Sequence, residues 1–243
     1  MHFFGNSGLR LAMALVAVAW TLAAGAVGFN DKVLNRPTAD DRLWHFGFSV
    51  GVHSQDISFT HNGFVTPEGE QWFMEQPSFS PGFCVNGLVD FRLSRLFNLR
   101  LSPGLYFGNR DITMREWETG AEKRQNLKSA QVVVPIDVKF SGFRLHNAKP
   151  YVTAGVMPTF NLTDKKGDYL RTKPFDFYLT TGFGCDFYLP YFKLVPEVKF
   201  CFGMVDVIDH KRPDLEDDPE HMNITRSLKK ALSQMVVLTF YFE

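Results

Sequence analysis

The sequence is short of the features that mark most protein classes. Its three cysteines, Cys84, Cys185 and Cys201, are odd in number and fall within apparent strands rather than loops, so no disulfide framework is expected. Neither sign of charge is in excess, since 26 basic and 26 acidic residues cancel, and this removes the electrostatic pull toward nucleic acid. Beyond the N-terminal stretch no apolar run approaches the ~20 residues of a spanning helix. No helical period, internal repeat or low-complexity tract stands out. Glycine patterns such as Gly82 to Gly87 lie mid-strand instead of opening a helix, so no phosphate-cradling loop is indicated and no cofactor is expected.

What is plentiful is aromatic side chain, 15% of the chain and dominated by 25 Phe, which suits pleated surfaces and membrane-interface girdles. The N-terminus reads as an export address. Arg10 precedes an apolar run from Leu11 to Ala24, and Ala24-Gly25-Ala26 supplies the small residues of a cleavage site, which predicts a signal peptide over 1–26. Residues 27–42 are polar and aperiodic, a short leader, and 43–243 form the domain.

Within that domain apolar and polar residues alternate with period two. Trp44, Phe46, Phe48, Val50 and Val52 share one face, and His45, Gly47, Ser49, Gly51 and His53 the other. Seven more such runs follow, near 78–93, 97–108, 130–141, 151–162, 175–189, 192–204 and 228–242. Long polar connections at 61–75, 111–126, 163–173 and 209–223 alternate with short ones at 94–95, 142–147 and 190–191. This rhythm is that of an all-β, eight-stranded antiparallel transmembrane β-barrel in the outer membrane, with both termini periplasmic and lipid around its apolar face. A soluble sandwich or lipocalin-like barrel with the apolar face inward stays open at this point, because alternation alone does not say which face is outside. Prolines at 81, 103, 135, 158 and 196 interrupt apparent strands and remove ladder donors.

An eight-stranded barrel is just wide enough for side chains to fill it. The candidate site is therefore a charge network in the lumen: Asp90, Arg92, Arg100, Asp137, Lys139, Asp186, Lys193, Glu197 and Lys199, both signs on the polar faces and expected to pair. Pro190 and Tyr191, in a short turn, are a candidate contact for a partner at the rim. Catalysis is not expected: His53 alternates to the opposite face from Ser54 and Asp56, so a regular strand cannot unite them. The acidic loop between His210 and His221 lacks ordered ligand spacing and reads as a solvated loop rather than a cation site.

The stretch Gly184-Cys185-Asp186-Phe187-Tyr188-Leu189-Pro190-Tyr191-Phe192-Lys193-Leu194, followed by Pro196-Glu197-Val198-Lys199-Phe200, resembles the PorT family of Bacteroidetes outer-membrane proteins. Leu127-Lys128-Ser129-Ala130, Lys149-Pro150-Tyr151-Val152 and Gly155-Val156 are similar to it as well. The resemblance implies a non-enzymatic barrel required by the type IX secretion system, which exports proteinases and adhesins bearing C-terminal sorting domains. Its partners would be other membrane or periplasmic components of that system. The competing expectations are a small adhesin or defence barrel acting through its outer loops, and a lipid A-modifying enzyme.

Overall fold

The computed structural model describes residues 33–61, 72–74, 81–116, 122–163, 173–208 and 228–243. The expected signal peptide and the loop bracketed by His210 and His221 lie outside them. Eleven strands are present among the described residues: β1 Trp44–His61, β2 Trp72–Met74, β3 Pro81–Arg92, β4 Phe97–Leu101, β5 Gly104–Glu116, β6 Glu122–Val133, β7 Ile136–Ser141, β8 Ala148–Asn161, β9 Phe175–Tyr188, β10 Lys193–Gly203 and β11 Leu228–Phe242. All pairings are antiparallel, and the β8–β9 ladder from Ala148↔Phe187 to Phe160↔Phe175 closes the sheet on itself. No helix among the described residues is long and apolar enough to cross a membrane. This barrel spans with strands.

Ten of these strands make eight staves. Strands β4 and β5 are two halves of one stave interrupted at Ser102-Pro103, and β6 and β7 are halves of the next, interrupted at Val134-Pro135. At each break a proline nitrogen leaves a ladder bond unmade, while its carbonyl still accepts from a neighbour. Gly87 N donates to Pro103 O at 2.8 Å, Ser102 N to Pro135 O at 3.1 Å, and Val134 N to Pro158 O at 3.1 Å. The remaining strand, β2, pairs only with the far end of β5.

Burial shows which face is outside. Trp44, Phe46, Phe48, Val50 and Val52 are exposed, whereas Ser49 and His53 on the alternate face are buried. The same inversion holds on β3, where Phe83 and Val85 are exposed and Cys84 and Asn86 buried, and on β7, where Ile136, Val138 and Phe140 are exposed and Asp137 and Lys139 buried. A soluble barrel would reverse this order, so the apolar band faces lipid. Aromatic pairs cross neighbouring strands at both margins of the band. Trp44–Phe91 (4.5 Å between ring centroids), Phe97–Phe140 (5.1 Å) and Phe48–Phe242 (5.2 Å) lie toward the short turns, and Phe83–Phe107 (5.0 Å) and Phe160–Phe175 (5.1 Å) toward the other end.

One expectation needs correction. Residues 111–126 are not chiefly a loop: β5 runs to Glu116 and β6 starts at Glu122, paired from Arg115↔Glu122 inward. The sequence of this hairpin is mostly polar, with Ile112, Met114 and Leu127 too few to carry a sustained period of two. The part of the leader within the described residues is ordered against the barrel. Residues 33–43 lie against the short-turn rim, with a single 3₁₀ turn at Ala39–Asp41.

Candidate functional site

The lumen divides into two layers. Toward the long connections, Cys84, Tyr106, Val133, Met157, Tyr178, Cys201, Met235 and Val237 form one buried cluster. His53 stacks on Tyr106 with 5.2 Å between centroids, and Gln55 Nε2 donates to the Tyr178 hydroxyl at 3.0 Å. Ser54 and Asp56 belong to the opposite face of β1 from His53, as alternation requires. All three cysteines are free thiols.

Toward the short turns the filling is ionic around a smaller cluster of Leu88, Tyr151, Val195 and Tyr241. Arg100, from β4, reaches across the barrel: its Nε and one terminal nitrogen donate to Asp90 Oδ2 at 3.3 and 3.2 Å, and its other terminal nitrogen donates to Glu197 Oε2 at 2.8 Å. Lys199 Nζ contacts Asp137 at 2.5 Å and Glu197 at 3.3 Å. Lys139 Nζ donates to both oxygens of Asp186 at 2.7 Å, and Lys193 lies 3.9 Å from the same carboxylate. Remaining lone pairs are met by Asn98 on Asp90 at 2.6 Å, Thr180 on Asp137 at 2.7 Å and Tyr151 on Glu197 at 2.8 Å. This is the condition under which buried charge is tolerated, each ion paired and hydrogen-bonded.

Eight of the nine candidate charges are thus brought together, and Arg92 is not. Arg92 ends β3 at the rim, where it donates to the Asp40 carbonyl at 2.5 Å and lies 3.8 Å from the Asp41 carboxylate. Sequence reasoning did not assign Glu243 to the network. Its carboxylate turns inward to Lys193, lies 3.9 Å from Arg100 and 3.7 Å from His45. Tyr151 and Tyr241, whose rings lie 5.3 and 4.8 Å from the Arg100 guanidinium carbon, had only their inward parity to mark them. Pro190 and Tyr191 form the tip of the β9–β10 turn, closed by Leu189 N donating to Phe192 O at 3.0 Å, and Tyr191 is 93% exposed.

The strap at residues 33–43 was not legible. Its Asp40 carboxylate accepts from the Tyr188 hydroxyl at 2.6 Å and pairs with Lys149 at 3.3 Å. Burial works to raise its pKa, but the hydroxyl and the nearby lysines outweigh that and hold it below the ordinary aspartate value.

A family model described as "Outer membrane protein beta-barrel domain" matches residues 30–209. None of the curated proteins matches the chain significantly. Among solved structures, OprG from Pseudomonas aeruginosa aligns at 12% identity and TM-score 0.45, covering 81% of this chain and 94% of that one. Neisserial surface protein A aligns at 10% and 0.42, covering 82% and 97%. Ail of Yersinia pestis, solved with the heparin analogue sucrose octasulfate, aligns at 11% and 0.33, covering 81% and 96%.

Proposed function

This chain belongs to the outer membrane protein β-barrel domain family, and from that premise we propose that it is a non-enzymatic, PorT-family component required for type IX protein secretion. The observation that carries the reading is the filled lumen. Tyr178, Met157, Arg100 and Asp137 are each 0% exposed and span both layers, and side chains lining an aqueous passage would meet water instead. A barrel stoppered in this way offers its rims for work. The likeness of the 184–194 hairpin to the PorT family supplies the process, with the short-turn end facing the periplasm and Pro190 and Tyr191 presented to membrane or periplasmic components of the export machinery. Lipid contacts the apolar band.

The test is deletion of the gene in its source organism, followed by fractionation of proteins carrying the C-terminal sorting domain. Unprocessed cargo held in the periplasm is the expected result. Normal release of processed cargo would refute the export role.

A further inference from the structure

The short-turn rim treats the chain's own N-terminal segment as a peptide-binding protein treats its ligand. The Asn147 carboxamide takes two backbone groups two residues apart, accepting from Asn35 N at 2.9 Å and donating to Val33 O at 3.1 Å. That is how a strand reads its neighbour, here done by one side chain. The Arg144 guanidinium spans two successive carbonyls further on, donating to Asn35 O and, at 3.2 Å, to Arg36 O. It is held in place by the His146 carbonyl at 2.7 Å and by the Tyr188 ring, 3.6 Å beneath it. Among the described residues, the strap side chains that meet Tyr188 and Lys149 are Asn35 and Asp40, while Arg36 donates to the Glu243 carbonyl at 3.1 Å and Asp41 lies 3.8 Å from Arg92. Asn35 Nδ2 donates to Tyr188 O at 3.1 Å, and Asp40 receives Tyr188 and Lys149.

Two observations mark the strap as replaceable. Val33 and Leu34 are exposed, so polar contacts rather than apolar burial hold this stretch, and segments held in that way open at the low end of the stability range. Arg36 adopts φ 46°, a conformation uncommon outside glycine, and a substitute segment need not share that strain.

We infer that Arg144, Asn147 and Tyr188 form a binding groove for an extended polypeptide, occupied here by the chain's own residues 33–40, and that a partner segment with an asparagine and, five residues later, an aspartate can take its place. The recognition is mostly of backbone, so a family of sequences fits. It stands on the rim geometry alone and does not depend on the export role.

The test uses the full-length barrel in detergent and a fluorescein-labelled peptide of residues 33–42, read by fluorescence anisotropy. The Asn35→Ala/Asp40→Ala variant loosens the internal strap and leaves the groove intact. It should bind the peptide at least about tenfold more tightly than the parent chain, because the internal competitor is weakened. Adding Asn147→Ala should cost about tenfold again through two lost hydrogen bonds. Equal binding by all three chains, or binding indifferent to Asn147, overturns the inference. Should either variant lose its heat-modifiable gel migration, the parent chain decides. Excess unlabelled peptide should accelerate tryptic cleavage after Arg42, and an unchanged rate overturns the inference.

Discussion

Truncating Arg100 tests whether the ionic layer holds the barrel together. Its side chain is fully buried and, among the described residues, is the one cation within 4 Å of Asp90. In Arg100→Ala, Glu197 keeps Lys199 at 3.3 Å and the Tyr151 hydroxyl at 2.8 Å. Asp90 keeps only Asn98 at 2.6 Å, so Asp90 is the stranded charge. Removing one partner of a buried pair costs about 3–5 kcal/mol. With a slope of ~2–3 kcal/mol per molar urea, the unfolding midpoint should fall by about 1–2.5 M. Neutralising the stranded acid in Arg100→Ala/Asp90→Asn should return roughly 1–3 kcal/mol of that loss as coupling between neighbours. The assay is urea unfolding of the detergent-refolded barrel, read in parallel by heat-modifiable migration and tryptophan fluorescence. Arg92→Ala is the control, because it removes one hydrogen bond to the Asp40 carbonyl at the rim and a 3.8 Å pair with a carboxylate 74% exposed, and strands no buried charge. A shift for Arg100→Ala no larger than the control, or no recovery from Asp90→Asn, would refute the reasoning.

Leu101 faces lipid midway between Phe97 and Phe107 on one stave, so Leu101→Arg should destabilise the barrel by roughly 2–4 kcal/mol, measured by the same unfolding, with a smaller effect from Phe97→Arg nearer the margin. Gly155 approaches β7 so closely that an added methyl would run into the Ile136 carbonyl and the Asp137 side chain; Gly155→Val should abolish heat-modifiable migration, whereas Ala154→Val on the lipid side should preserve it. Asp40 has a lowered folded-state pKa, so its contribution to strap stability is complete above the ordinary value of about 3.9 and is lost as pH falls through the folded value. Amide hydrogen exchange over residues 35–41, corrected for intrinsic rates, should show constant protection from pH 7 to 5 and declining protection below about pH 4, with the decline absent in Asp40→Asn.

The staves were legible because an inside-out barrel preserves period two wherever lipid lies on one side, and parity alone placed Arg100, Asp137, Lys139, Asp186 and Glu197 in the lumen. That signal fades where apolar residues are too sparse to sustain the period. Arg110–Glu116 and Glu122–Lys128 pair with each other, and their mostly polar sequence looks like a loop. The prolines announced missing donors but not their consequence. Whether Pro103 ends a strand or only pauses it depends on Gly87, a residue on another strand that keeps the ladder going through the Pro103 carbonyl. The strap was invisible for a related reason. Asn35 and Asp40 sit in an aperiodic polar segment, and their partners Asn147, Lys149 and Tyr188 lie more than a hundred residues away.

The layering of the lumen bears on why charge is there at all. Buried ion pairs add little net stability compared with a well-packed apolar filling, and the layer of Cys84, Tyr106, Met157, Tyr178 and Met235 shows that this barrel accepts such a filling. The charges are gathered in the half that meets the strap. Asp186 leads to Lys193, Lys193 to the Glu243 carboxylate, and the Glu243 carbonyl accepts from Arg36 at 3.1 Å. Arg100 joins the chain through Glu243 at 3.9 Å. The ionic layer and the strap are therefore one connected set of polar contacts, and Glu243 is the residue that belongs to both. An apolar filling in this half would leave the rim without inward partners for Lys193 and Glu243, so the polarity of the lower lumen is tied to the rim it supports.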